Sequence, residues 1–179
     1  LNTGLDHPRE IASLGLGGNI GDPAQAMARA LQALDARKDC RVITVSRLYL
    51  TPPWGKTDQA DFFNCCALIE TELHPEDLLD LCLALEREMK RVRIERWGPR
   101  TLDIDILTYG DIEQKTQALE LPHPRMTERA FVMLPLADIA PHLMINGRMA
   151  QSWAGSLNST GMRIAKPDGL WWRQVATAG

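Results

Sequence analysis

The chain has 179 residues, 45% of them hydrophobic and 24% charged, which suits one folded domain with a single sizeable core. A formal net charge of -3 gives no global reason to bind nucleic acid or an anionic membrane, so any basic patch has to be local. The four cysteines form no C-x-x-C pair, no apolar run reaches the roughly 18 residues of a membrane span, and the N-terminus lacks the order of a signal peptide; a reduced, cytoplasmic setting is expected.

Residues 1–12 read as an N-terminal extension and residues 13–179 as a single domain. Residues 13–17 predict a short strand, with the glycines of GLGGNIGDP giving backbone room for a turn. Asp22 then caps a helix that has Pro23 at its first position and runs to about Arg37. Residues 40–51, with Val42, Val45, Leu48 and Leu50, predict a second strand segment. TPPWGKTDQAD follows as a loop, because prolines cannot donate to a strand ladder. Residues 62–72 predict a third strand, on which the adjacent Cys65 and Cys66 face opposite sides as packing residues. Pro75 starts an amphipathic helix with Leu78, Leu79, Leu81, Leu85 and Met89 on its apolar side, ending near Arg93. A fourth strand spans residues 101–109. The order β-α-β-β-α-β predicts an α+β, ferredoxin-like core: an antiparallel sheet with both helices on one face. Residues 110–179 add C-terminal elements, with LPHPRMTERAF as a loop, a helix near residues 128–137 and a hairpin around INGR.

The fourth strand sits in RWGPRTLDIDIL, where Leu102, Ile104 and Ile106 alternate with Asp103 and Asp105. Two strand rises place the two carboxylates about 6.6 Å apart on one face. Helices packed on the apolar face would leave the aspartates open to a ligand. Just before them, Arg87, Lys90, Arg91, Arg93, Arg96 and Arg100 make a local basic excess. Alone, that run reads as a solvated helix face partly paired with Glu86, Glu88 and Glu95, and the aspartates as an exposed polar face. Together they suit a magnesium-bound polyphosphate, since guanidinium groups bind phosphate and Mg²⁺ takes carboxylate plus phosphate oxygens.

Two nucleotide motifs fail. Gly55-Lys56-Thr57 resembles the end of a P-loop, but Leu50 stands where the first glycine is needed and Pro52 and Pro53 remove backbone donors. Gly15-x-Gly17-x-x-Ile20 misses the third glycine of the dinucleotide fingerprint. His123 is either an ordinary loop histidine or, beside Arg125 and Arg129, a nucleotide contact. Phe62 and Phe131 read first as core residues.

LGLGGNIGDP, YLTPPWGKTDQADFFN, RVRIERWGPRTLDIDILTYG and LPHPRMTERAFVMLPLADIAP, in that order across residues 13–142, resemble the 6-hydroxymethyl-7,8-dihydropterin pyrophosphokinase family of folate biosynthesis. The resemblance implies a kinase-type transferase that moves pyrophosphate from ATP to a pterin alcohol and releases AMP. It implies that Asp103 and Asp105 hold two Mg²⁺ ions and that Arg91 and Arg100 act with them in catalysis. Phe62 and Phe131 would sandwich the pterin ring, which displaces their core reading. Thr51, Pro52 and Trp54 would line the same pocket, and Asn64 would hydrogen-bond the pterin edge. Glu86, Arg91, Trp97, Arg100, Ile106, His123 and Arg129 fall at ATP-contacting positions. The chain departs from the family pattern at Gly18 (usually Ser), Phe62 (often Tyr), Lys90 (often Gly) and in the short loop Arg93-Ile94-Glu95-Arg96.

The implied partners are small molecules, with no nucleic acid or membrane, acting on a monomer. The alternatives are another Mg-nucleotide transferase, such as a nucleotidyltransferase, and a non-catalytic RNA-binding module. Two aspartates on the open face argue against the latter by repelling phosphate. Beyond residue 142 no role is assigned to Trp153, Trp171 or Trp172.

Overall fold

The computed structural model describes residues 8–53, 58–91 and 102–174. Strand β1 (Glu10–Gly18) turns Ala12, Leu14 and Leu16 to one side, where all three are buried. It begins before the predicted Ser13, because Glu10, Ile11 and Ala12 already pair with Thr71, Glu70 and Ile69. Gly15 and Gly17 therefore lie within a strand and not in a turn; the left-handed turn residue is Gly21, at φ 73°.

Helix α1 (Pro23–Asp35) starts as expected: the Asp22 carboxylate accepts from the Gln25 N–H at 3.1 Å and Pro23 opens the first turn. The predicted second strand is two strands, β2 (Cys40–Val45) and β3 (Leu48–Thr51). The break comes from Ser46, whose hydroxyl accepts from the Cys66 N–H at 2.9 Å and donates to the Arg47 carbonyl at 2.7 Å. Strand β4 (Phe62–Thr71) and helix α2 (Pro75–Arg91) follow, then β5 (Asp103–Tyr109).

After the core come a small hairpin of β6 (Gln114–Lys115) and β7 (Glu120–Leu121), then helix α3 (Ala130–Ile139). The hairpin expected at INGR is present as β8 (Met144–Ile145) and β9 (Arg148–Met149). Its turn places Asn146 and Gly147 at φ 49° and 82°, the positive values a two-residue hairpin turn demands. Helix α4 (Ala150–Gly155) and strand β10 (Arg163–Lys166), neither foreseen, complete the α-helices and strands among the described residues.

The architecture is mixed α/β, with one six-stranded antiparallel sheet ordered β10-β3-β4-β1-β5 and β2 also paired to β4. Strand β4 is its spine: β1 runs along one edge, while β3 and β2 share the other. Helices α1 and α2 cover one face, burying Leu14, Leu16, Ile69, Leu102, Ile104 and Ile106. A second cluster on the opposite face joins Cys66 and Leu107 to Met126, Met133 and Leu136 under α3. Cys65 belongs to the first cluster and Cys66 to the second, the opposed placement expected of neighbours on a strand. The second face is thus only partly open. Its β5 end, with Asp103 and Asp105 exposed, is the end that α3 leaves clear.

Candidate active site

Register builds the floor of the site. Asp103 pairs opposite Gly17 and Asp105 opposite Gly15, so each carboxylate has a strand neighbour with no side chain to crowd it. The two aspartates border a cavity of ≈ 440 Å³ whose other walls come from β3, β4 and the start of α3. Phe62 opens β4, Phe131 is the second residue of α3, and both are half-buried cavity walls rather than members of the main core. Asn64, 7% exposed, lines the same cavity, and its Nδ2 donates to the Thr51 Oγ1 at 3.2 Å. That bond fixes the amide with Oδ1 toward Gly17, where a Cβ would stand only 2.8 Å away.

The aromatic wall is braced. Arg47 donates to the Asp138 carboxylate at 2.9 Å and Tyr49 at 2.8 Å, tying the far end of α3 to the strand that carries Thr51. At the near end the Arg129 guanidinium lies 5.7 Å from the centroid of the Phe131 ring and lines the cavity.

Behind β5, the Glu86 Oε1 accepts from the Ile104 N–H at 2.7 Å, joining α2 to the aspartate strand. Burial pushes the Glu86 carboxyl above its ordinary 4.5, and the negative charges of Asp103 and Asp105 push the same way. The Ile106 side chain, 2% exposed, lies in the helix-covered core, so it can meet a ligand on the open face only through its backbone. His123 is not in the cavity wall. Its N–H donates to the Leu107 carbonyl at 2.8 Å and its Nδ1 accepts from the Arg125 N–H at 3.2 Å. Burial pulls its pKa down, against Asp105, which favours the neutral ring that such an acceptor requires.

Pro52 joins the cavity wall beside Thr51. Trp54, Trp97 and Arg100 lie outside the described residues, as does the side chain of Arg91, the last residue of α2. Gln59 lines the cavity without having been singled out. Asn19 donates to its Oε1 at 3.2 Å, a link between two loops that no spacing in the sequence announces.

Glu86 gives a first test, with a sign fixed by linkage. A carboxyl raised in the folded state contributes stability below its ordinary 4.5, and that contribution is lost as pH rises through the raised value. Glu86→Gln keeps an acceptor for the Ile104 N–H but removes the half-buried charge. Its melting temperature should exceed wild type at about pH 7 and lose that advantage below about pH 4.5. Equal melting curves across that range would show that the charge carries no such cost.

The family model described as 7,8-dihydro-6-hydroxymethylpterin-pyrophosphokinase (HPPK) matches residues 13–141. The chain belongs to the HPPK family. It is 47% identical over 151 residues to the 2-amino-4-hydroxy-6-hydroxymethyldihydropteridine pyrophosphokinase of Methylorubrum extorquens, covering 84% of this chain and 96% of that one. The Pseudomonas aeruginosa enzyme of the same name is 45% identical, covering 73% and 80%, and the Bacillus subtilis enzyme 40%, covering 87% and 90%. Among solved structures, wild-type Plasmodium falciparum HPPK-DHPS with STZ-DHP superposes with a TM-score of 0.66 at 17% identity. That match covers 84% of this chain but 44% of the longer Plasmodium chain, and it carries the fold alone. Membership in the HPPK family makes the chain a pyrophosphokinase, a transferase.

Proposed function

We propose that this chain transfers pyrophosphate from ATP to 6-hydroxymethyl-7,8-dihydropterin, releasing AMP, in folate biosynthesis. The observation that carries the reading is one cavity with two aromatic walls and a buried amide beside two exposed strand carboxylates. A flat heterocycle needs the first set of groups and a polyphosphate the second. The sheet order, with β4 between β1 and the β2/β3 edge, supports a ferredoxin-like core for a single domain of residues 13–179, to which β1 adds Glu10, Ile11 and Ala12. No helix among the described residues is long and apolar enough to cross a membrane.

In this reading the pterin ring lies between Phe62 and Phe131, with Asn64 reading its edge and Thr51 and Pro52 closing the side. Trp54 completes that wall. Asp103 and Asp105 would hold magnesium. Among the described residues no group of three or more His, Cys, Asp or Glu side chains could enclose a metal. Two exposed carboxylates fit Mg²⁺, which takes one or two protein carboxylates and completes its shell with phosphate and water. When bound with ATP, two such ions would offset the phosphate charge as the bond to the β-phosphorus changes partners.

The remaining work is positioning by the chain's own groups. Arg129, at the cavity edge, and Arg91 and Arg100, assigned from the family pattern, grip phosphate oxygens through planar guanidinium forks. Glu86, Trp97, His123 and the backbone of Ile106 form the nucleotide side. The neutral His123 adds hydrogen bonding there without adding charge. With the pterin hydroxymethyl group held in line with the β-phosphorus, no covalent enzyme intermediate is required.

Incubation with Mg-ATP and the hydroxymethyl pterin should give AMP and the pterin pyrophosphate; release of pyrophosphate would mark a nucleotidyltransferase. The ring sandwich has its own test. Phe62→Leu and Phe131→Leu should each weaken pterin binding by about 10-fold, the scale of a lost aromatic stack, and leave Mg-ATP affinity nearly unchanged. Parallel loss of both ligands with a lower melting temperature would return these residues to a packing role.

A further inference from the structure

The cavity wall formed by Pro52 and Phe131 has a second hollow behind it, ≈ 660 Å³, lined on its far side by Leu157, Thr160 and Met162. Those residues lie beyond residue 141, where the family match ends. A wall with space on both sides needs backing, and the backing comes from the same C-terminal segment. Strand β10 pairs with β3 through Arg163↔Leu50 and Ile164↔Tyr49, one residue from Thr51. Gly161, at φ +85°, lies against the Pro52 ring so closely that a Cβ there would stand 2.8 Å from Pro52 Cγ. Two residues on, the Arg163 guanidinium pairs with the Asp61 carboxylate. Asp61 directly precedes Phe62.

The segment thus grips both ends of the β3–β4 connection: Pro52 where it leaves β3, and Asp61 where it enters β4. These two points flank the end of the β3–β4 ladder, where Thr51 pairs opposite Phe62, and so hold in place the one wall that Thr51, Pro52 and Phe62 present to the cavity. We infer that Gly161 and Arg163 are positioning residues that set the width of the pterin-side pocket, an inference that rests on the function proposed above. Neither residue lines the cavity itself, so both act through Pro52 and Phe62.

A merely structural edge strand would affect stability, or kcat and both substrates alike, whereas a width-setting strap acts on the pterin alone. Arg163→Met removes a solvent-exposed ion pair, which adds little net stability, so the fold should survive. In the full chain its pterin KM should rise about 3-fold, with ATP KM and kcat at saturating pterin within about 2-fold of wild type. Gly161→Ala, which drives a methyl group at Pro52, should raise pterin KM by about 10-fold with the same split. Exchanging the charges in Asp61→Arg/Arg163→Asp should restore pterin KM toward wild type. Unchanged pterin KM in Arg163→Met, no rescue by the exchange, or ATP KM and kcat moving in parallel would each overturn the strap while wild type still makes AMP. Wild type making no AMP would overturn the proposed function, and the strap with it.

Discussion

Asparagine in place of Asp103 or Asp105 should lower single-turnover AMP formation by about 10²-fold or more and leave the fold intact. Activity should fall because a neutral amide is a poorer Mg²⁺ ligand and no longer offsets the cation that phosphate binding requires. Stability should hold because both side chains are exposed, while the strand they ride on is anchored by Leu102, Ile104 and Ile106 on the other face. It should even rise slightly. Each aspartate adds to the pressure that burial puts on Glu86, so removing one negative charge lets Glu86 ionise at less cost. The two measurements are thermal melts without metal and AMP formation across a magnesium titration. Wild-type turnover at limiting magnesium in either variant would remove that carboxylate from the metal site. Loss of the melting transition in both would make the pair structural.

The same strand shows what a sequence can and cannot disclose. Alternation of Leu102, Ile104 and Ile106 with two aspartates is a local property of the chain, and the helix-covered and open faces follow from it directly. The helices α1 and α2 were equally legible, through a capping Asp22, a leading Pro23 and an apolar stripe after Pro75. Helix α3, expected near residues 128–137 and found at Ala130–Ile139, shows little periodicity because AFVMLPLADI is apolar almost all round, as befits a helix lodged between the sheet and α4. The break between β2 and β3 depends on a serine hydroxyl meeting the backbone of a residue 20 positions away, which no local pattern reports. Strand β10 is four mostly exposed residues that owe their state to pairing with β3, more than 100 residues earlier in the chain.

The site divides along the same line. The carboxylate pair is visible because charge on an apolar alternation is anomalous, whereas two phenylalanines 69 positions apart have no signal that separates a ligand wall from a core. Family resemblance moved them to the pterin, and the structure places both on one cavity. The glycines of β1 are the sharper case. As composition they suggest a turn, but on the sheet they are the gaps opposite Asp105 and Asp103 through which the floor of the cavity stays low.

Gly17→Ala should therefore raise pterin KM by about 10–100-fold, the effect of losing about 1–3 kcal/mol of polar recognition, with little change in melting temperature. The added Cβ would stand 2.8 Å from Asn64 Oδ1, inside contact distance, but that atom ends a side chain that can turn. Turning breaks the Nδ2 donation to Thr51 and, on the function proposed above, takes the amide away from the pterin edge. Because the cavity is open to water, the displaced amide is rehydrated in the free protein. The loss of glycine's unfolded-state freedom offsets part of the residual strain. In Asn64→Ala the side chain that Gly17 makes room for is already gone, so Gly17→Ala should then cost little more. Pterin KM for the two single variants and the double variant, with ATP KM as the internal reference, measures the coupling. Additive losses would mean that Gly17 acts on the ligand or on the strand directly and not through Asn64.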